Sequence, residues 1–242
     1  MGDEPRITYR QCQREDVLAV SDILFHTGYL GEDLSLMGQF NDKVLFGYAN
    51  TDYYIRYEAH NGFVAVDSAN GRVVGYIIGT ADTRAYEKAF KRRMYWRIIL
   101  RSFFYSLWRH PESFRYVLTW ALTYKSDYLA PFYAEYPAHL HINVLPDYQR
   151  LGIGEILLRL FETRMAVQGV TGIHLGTSNH NSKALPFYKK NGFKILLEKP
   201  IPFWRGVDDH ASVIFGKKIG CHGDDMPQAT ITSEKKKPKE LR

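Results

Sequence analysis

The sequence has too few cysteines for a disulfide framework and no apolar run long enough to cross a bilayer. Its two cysteines, Cys12 and Cys221, are far apart in a chain of 242 residues, which suits a reducing compartment. No apolar stretch approaches the roughly 20 residues of a membrane-spanning helix. The polar, acidic residues 1–5 lack the pattern of a secretory signal. Together, these absences predict a cytoplasmic protein without stable membrane insertion.

Two common phosphate-binding motifs are also missing. The pair Gly152 and Gly154 is not followed by the Lys-Ser/Thr of a Walker loop, and it does not form the G-x-G-x-x-G of dinucleotide-binding folds. No Cys or carboxylate stands at ligand spacing beside His139 and His141, so we expect no metal site there.

The composition indicates one globular domain with a basic tail. Hydrophobic residues make up 45% of the chain and charged residues 24%, with a net charge of +6, ordinary values for a globular domain. Residues 1–219 are predicted to form the domain. Residues 220–242 are polar, lack aromatics and are predicted to be disordered. Their lysine cluster fits either a solvated tail or a nuclear localisation patch, and we infer no nucleic-acid binding.

A strand followed by a glycine loop and a helix is the most informative feature that is present. Residues 140–154 read LHINVLPDYQRLGIG, and apolar residues at helical spacing follow from Glu155 to Met165. Glycines allow a ligand to approach the backbone closely, and a helix start leaves N–H groups unpaired. This combination suits a diphosphate, although a tight strand-to-helix turn explains the glycines equally well.

A second motif follows at a characteristic distance. Residues 181–193 read NSKALPFYKKNGF, after a strand predicted at 172–178. The Q-x-x-G-x-G and N-x-x-A-x-x-F-Y-x-x-x-G-F patterns together resemble the GNAT superfamily of acyl-CoA-dependent N-acyltransferases. The resemblance extends over about residues 7–219 and is sharpest over 137–193. Residues 136–143 are also similar to the acetyltransferase-like proteins related to O-GlcNAc hydrolase C-terminal domains.

The resemblance implies a fold and a cosubstrate. It predicts an α/β fold with a mixed, twisted and mostly antiparallel central sheet flanked by helices, which uses acetyl-CoA. Tyr188 would act as general acid toward the departing thiolate, while Asn181 would hold the cosubstrate near the thioester. The cosubstrate would contact the remaining predicted positions through the strand edge and the loop: Asn143, Val144, Gln149, Arg150, Leu151, Gly152, Ile153 and Gly154.

Two alternating histidines precede the loop. His139 and His141 point to the same face of a strand and have an ordinary pKa of about 6.5, which suits a proton relay. A similar A-H-L-H run occurs in arylalkylamine N-acetyltransferases, but here it lies one residue closer to the glycine loop. This register places Ala138 and Leu140 at the usual base positions. We therefore expect the histidines to face away from the substrate unless a bulge turns them, and a role as core histidines is an equal alternative.

A long insertion, residues 81–136, is predicted between the third and fourth strands. It contains a basic amphipathic helix over residues 84–108 and a second helix over 112–122. Most of its aromatic residues are expected to extend the core. Its outer surface could wall an acceptor pocket, form a homodimer face or rest on a membrane, with the membrane the least favoured.

The predicted function is transfer of acetyl from acetyl-CoA to the primary amine of a small molecule, by direct attack in a ternary complex. The family hint favours an amino sugar such as glucosamine. Arylalkylamine, polyamine and protein lysine are alternative acceptors, and a non-catalytic acetyl-CoA sensor is the alternative from another class.

Overall fold

The computed structural model describes residues 6–37, 40–123, 127–201 and 208–220. The predicted basic tail therefore lies, beyond Gly220, outside the described residues, as do residues 1–5. In the described part of the chain, no helix is both long and apolar enough to cross a membrane.

Seven strands form one mixed sheet, which confirms the predicted fold class. Its spatial order is β1-β2-β3-β4-β5-β7-β6, and only the β4–β5 pair is parallel. The strands are β1 (Ile7–Gln11), β2 (Phe63–Asp67), β3 (Arg72–Thr80), β4 (Ala138–Val144), β5 (Gly172–Ser178), β6 (Lys194–Pro200) and β7 (Ala211–Lys218).

Eight α-helical segments accompany the sheet in the described ranges. Those outside the insertion are α1 (Val17–Phe25), α2 (Lys43–Asn50), α3 (Asp52–Tyr57), α7 (Ile153–Val167) and α8 (Ala184–Lys190). The insertion lies between the third and fourth strands, as predicted, and contributes α4 (Thr83–Arg101), α5 (Leu107–Arg109) and α6 (Pro111–Thr123).

The predicted long helix of the insertion is interrupted by a π-helical turn. Asp82 caps the start of α4 by accepting a hydrogen bond from the amide of Ala85. At residue 102 the helix changes to π geometry until residue 106, and α5 follows directly. The buried Asp42 carboxylate accepts hydrogen bonds from Arg101 at 2.8 Å and from Ser106 at 2.7 Å. This contact fastens the turn to the start of α2.

The alternation of β3 and β4 assigns their side chains to two faces of the sheet. A Cβ at Gly79 would come within 2.7 Å of Phe161 on α7, so Gly79 and its partner Leu140 face α7. The next residues along β4, His139 and His141, point to the opposite face, where α3 lies. β3 and β4 pair without a register shift, so β4 contains no bulge.

The sheet opens between β4 and β5. These parallel strands pair only at Ala138 with Ile173 and at His139 with His174. Beyond that point β5 continues pairing with β7 through Ser178, while β4 continues pairing with β3 through Val144. The backbone edge of β4 from Leu140 onward is consequently free on its β5 side.

Candidate active site

The loop before α7 forms a concave array of backbone amides. Arg150 and Gly152 have positive φ values of 65° and 77°, on either side of Leu151. Among the described residues, the amides from Arg150 to Gly154 have no backbone acceptor. Alternating left-handed residues turn successive N–H groups toward one concavity, and the positive end of the α7 dipole adds to it. We call residues 150–154 the amide cradle.

The surroundings of the amide cradle fit the diphosphate of acetyl-CoA. A Cβ at Gly152 would meet nothing within 4 Å, whereas one at Gly154 would come within 3.2 Å of the Phe187 ring. Gly154 therefore allows α7 to lie close to α8, and Gly152 provides the left-handed conformation. The Gln149 side chain donates to the Val144 carbonyl at 3.0 Å. Gln149 thus holds the cradle against β4, and its own amide donates to the Pro146 carbonyl at 3.2 Å.

Asn143 and Val144, the two residues predicted at the strand edge, already have hydrogen-bond partners within the protein. The Asn143 side chain accepts from the Tyr76 hydroxyl at 3.0 Å and donates to Thr27 at 2.7 Å. Its side chain is therefore already satisfied by contacts inside the protein, and its backbone pairs with Tyr76 on β3. The Val144 carbonyl is taken by Gln149, which moves the free part of the edge toward Leu140.

Tyr188 lies on α8, which packs against β7 through the tyrosine ring. Its side chain is buried, at 7% exposure, with its ring against Phe187, Phe193 and Phe215. None of the described residues hydrogen-bonds to its hydroxyl. Burial raises the pKa of Tyr188, so the hydroxyl stays protonated at neutral pH, as a general acid must before it acts.

Asn181 has a structural role in addition to its predicted one. Its side-chain oxygen accepts from the amide of Ala184 at 3.0 Å and therefore caps the start of α8. It also touches the loop at Gly31, where a Cβ would come within 2.9 Å of the same oxygen.

His139 and His141 share one tyrosine hydroxyl. The Tyr54 hydroxyl lies 2.6 Å from Nε2 of His139 and 3.3 Å from Nε2 of His141. Thr83 lies 2.7 Å from Nδ1 of His139 and donates its own proton to the Pro137 carbonyl at 2.7 Å. We call these four side chains the histidine chain: Thr83, His139, Tyr54 and His141.

Burial keeps both histidines neutral, so each ring carries a proton on one of its two nitrogens. Burial lowers the pKa of His139 well below 6.5, with His174 and His141 nearby contributing, and it lowers the pKa of His141 to about 4. In one order of protons that satisfies these contacts, Thr83 donates to the Pro137 carbonyl and Nδ1 of His139 donates to Thr83. Nε2 of His139 then accepts from Tyr54, whose oxygen accepts from Nε2 of His141. Nδ1 of His141 remains as an unprotonated acceptor.

The histidine chain borders a large cavity. The cavity has a volume of about 750 Å³, and Tyr54, Thr83, His139 and His141 line one part of it. Residues of α4 and α6 line much of the rest, together with residues of β5 and β7 and of the segment 128–133. The strand has no bulge, and the histidines point to the face on which α3 and α4 build this cavity; whether that is the substrate face stays a prediction.

Several other titratable side chains lie away from the histidine chain or hold structural bonds. Glu32 pairs with Lys183 at 2.8 Å, and Asp33 with His26 at 2.8 Å. Glu135 is exposed and pairs with Lys218. His174 borders the cavity, but its Nδ1 bonds the Tyr136 carbonyl at 2.7 Å.

His180 is exposed, and its Nε2 lies 3.1 Å from the Asp208 carbonyl. The side chain of Asp127 is outside the described residues. Where the structure is described, no cluster of three or more His, Cys, Asp or Glu residues could hold a metal ion.

The sequence analysis missed two site residues, Tyr54 and Thr83. Tyr54 belongs to an aromatic run on α3, and Thr83 is the first residue of α4. Neither has a motif around it, because both reach the histidines across about 85 and 56 residues of chain.

Comparisons with known proteins agree with this geometry. Residues 36–193 match the family model described as Acetyltransferase (GNAT) family. The solved structure titled SsHAT is 30% identical, with a TM-score of 0.69, over 89% of this chain and 100% of that one. The E. coli ribosomal-protein-S18-alanine N-acetyltransferase shares the fold at 15% identity and a TM-score of 0.52, over 92% and 99% of the two chains.

A curated relative covers less of the chain. "Uncharacterized N-acetyltransferase YjcF" of Bacillus subtilis is 38% identical over 58 residues, which are 24% of this chain and 39% of that protein. The family match spans most of the chain and contains the amide cradle, the histidine chain and Tyr188. The chain therefore belongs to the acetyltransferase (GNAT) family of acetyl-CoA-dependent N-acetyltransferases.

Proposed function

We propose that this protein transfers the acetyl group of acetyl-CoA directly to the primary amine of a small molecule bound in the cavity. The observation that carries the proposal is the arrangement along β4. His141 lines the cavity, the free strand edge begins beside it, and the amide cradle follows the end of the strand.

The amide cradle and the strand edge are assigned to acetyl-CoA. The unpaired N–H groups from Arg150 to Gly154 suit the diphosphate. The edge of β4 beyond His139 suits amide groups of an extended ligand, which would pair with it as a further strand would. These contacts bring the thioester toward the opening between β4 and β5.

His141 is assigned as the general base. An alkylamine has a pKa of about 10.4 and is mostly protonated at neutral pH, so a proton must leave before or during the attack. The amine nitrogen bonds to the acetyl carbon and the carbon–sulfur bond breaks. Nδ1 of His141 takes the proton that the amine loses, and the Tyr54 oxygen stabilises the resulting charge through Nε2–H.

Tyr188 is assigned as the general acid that protonates the departing sulfur. Its buried and protonated hydroxyl lies close enough to Tyr76 for a charge on it to raise the pKa of Tyr76. Asn181 caps α8 and so holds Tyr188 in place.

These contacts do not identify the acceptor, the oligomeric state or the cellular location of the protein. An amino sugar, a homodimer and a cytoplasmic location all stay predictions. A peptide acceptor is less favoured, because α4 and α6 of the insertion cover the cavity that a peptide would have to enter.

The test is release of free thiol from acetyl-CoA over a panel of amines: glucosamine, glucosamine phosphate, tryptamine, spermidine and a lysine peptide. We expect turnover with at least one small amine, and a Tyr188→Phe variant that binds acetyl-CoA but is at least tenfold slower. Silence across the panel together with intact acetyl-CoA binding would favour the sensor. Unchanged turnover in Tyr188→Phe would remove the general-acid assignment.

A further inference from the structure

The cavity is elongated, because one face of α4 lines it from end to end. Cavity-lining residues recur along the helix at every third or fourth position, from Thr83 through Tyr86, Phe90 and Ile98 to Ser102. A rise of 1.5 Å per residue gives this row a length of about 28 Å. We call the part of the cavity beyond the histidine chain the trench.

The walls of the trench are mostly apolar. Across from α4, the helix α6 contributes Phe114, Val117 and Leu118. Lys91 is the only lysine or arginine among the described lining residues, and its side chain is exposed. The far part of the trench therefore offers an elongated ligand dispersion contacts and few hydrogen-bonding groups.

The end of the cavity near the histidines is polar, in contrast to the trench. Glu87 is the only carboxylate among the lining residues that the structure describes, and it lies one helical turn from Thr83. It accepts a hydrogen bond from the Tyr133 hydroxyl at 2.7 Å, which holds the carboxylate at the cavity wall. A cationic ammonium group is favoured beside it, and His141 lines the same end.

We propose that the trench binds the apolar tail of an amphiphilic primary amine, whose nitrogen lies by His141 and Glu87. This inference rests on the proposed function, because the amine must meet Nδ1 of His141. The remainder of the acceptor then extends into the trench on the same face of the sheet.

Other acceptor classes match the trench less well. The hydroxyls of an amino sugar and the backbone of a peptide would lose water against apolar walls without gaining hydrogen bonds. A polyamine would bury its second charge among Phe90, Ile98 and Phe114, at a still greater cost. An alkyl or arylalkyl tail loses nothing by leaving water.

The experiment measures kcat/KM for straight-chain amines from propylamine to dodecylamine, each below its micelle concentration, with acetyl-CoA held constant. We expect kcat/KM to rise about two- to fourfold per methylene until the trench is filled, with glucosamine far below the longer amines. In a second arm, propylamine is held constant and the donor is varied from acetyl-CoA to dodecanoyl-CoA. A rise in the donor arm alone would overturn the proposal, because the trench would then hold the acyl chain.

A matched pair of variants tests where the tail lies. Lys91 lines the trench and its neighbour Arg92 does not, and both are exposed cations on α4. We expect Lys91→Trp to reduce the ratio of dodecylamine to propylamine kcat/KM at least tenfold. Arg92→Trp should keep the wild-type ratio. Equal ratios in the two variants would contradict binding of the tail in the trench.

Failure of this proposal is distinguishable from failure of the proposed function. Turnover of propylamine with no dependence on chain length would overturn the trench assignment alone. Absence of turnover with every amine, in a protein that still binds acetyl-CoA, would overturn the acetyl transfer on which it rests.

Discussion

The proposed site uses backbone groups on its cosubstrate side and side chains on its acceptor side. The cosubstrate side consists of backbone: a free strand edge and the amide cradle, shaped by Arg150 and Gly152 in left-handed conformations. The acceptor side consists of side chains from α3, α4 and β4 that meet across long stretches of sequence. A backbone site leaves a local signature of glycines, whereas a side-chain site appears only once the chain has folded.

On the acceptor side, which consists of side chains, removing His141 is expected to have the largest effect on activity. A His141→Phe variant keeps a ring of similar size in the cavity but has no nitrogen to take the amine proton. We expect kcat to fall by about 10²- to 10⁴-fold, with the Kd for acetyl-CoA unchanged. Steady-state kinetics and calorimetric titration measure the two quantities. A weakened acetyl-CoA affinity would show that the two halves are not separable.

The variant Gly152→Ala tests the cosubstrate side, which consists of backbone groups. The left-handed conformation costs an alanine about 1–2 kcal/mol, and relaxation of the loop would turn amides away from the diphosphate. We expect the Kd for acetyl-CoA to rise about tenfold and turnover at saturation to change little.

The matched control for that variant is Gly169→Ala. Gly169 has a φ of 74° and open space around its Cβ position, like Gly152 with 77°, but it follows the end of α7. Both variants should lose similar stability to urea, and only Gly152→Ala should lose acetyl-CoA affinity. An equal loss of affinity in both would assign the effect to α7 as a whole.

Thr83 provides a second test of the acceptor side. It contacts His139, which is linked through Tyr54 to the proposed base His141. In Thr83→Val, Nδ1 of His139 loses its acceptor, so the order of protons along the histidine chain is no longer imposed. We expect kcat to fall about tenfold, equivalent to one hydrogen bond, with recovery in Thr83→Ser. A valine variant with wild-type kcat and an unchanged pH profile would make Thr83 merely structural.

The smallest expected effect is on stability as a function of pH. Burial lowers the pKa of His141 to about 4 in the folded protein, against about 6.5 when unfolded. Between these values the unfolded chain binds the extra proton, so the free energy of unfolding falls as the pH drops from 6.5 toward 4. One histidine contributes at most about 1.4 kcal/mol per pH unit. Urea unfolding at several pH values should show a shallower slope in His141→Phe than in the wild type.

The strands and the cradle were predictable because their signals are local. The span of β5 matches the predicted strand at 172–178 residue for residue. The predicted helix over residues 84–108 differs from the structure only in its π turn, which forms where Ser106 and Arg101 bond the distant Asp42. Hydrophobic periodicity contains no information about that long-range contact.

The histidines were recognised, but their environment was not. Alternation correctly places His139 and His141 on one face of β4, yet it does not say which helices cover that face. Tyr54 and Thr83 arrive there through the packing of α3 and the start of α4. The low pKa values of the histidines follow from that same burial, and could not be read from a sequence in which both carry the ordinary value.

The narrow pairing between β4 and β5 has a consequence for how the protein opens. Among the described strands, β1–β4 pair with β5–β7 at two residue pairs only, whereas β5 and β7 share seven pairs. Amide hydrogen exchange is therefore expected to divide the sheet into two cooperative units along this seam. A cosubstrate that contacts β4 and the region of Tyr188 together bridges the units. Its binding should slow exchange in both units at once, because the bound cosubstrate adds a further link between them to the two residue pairs.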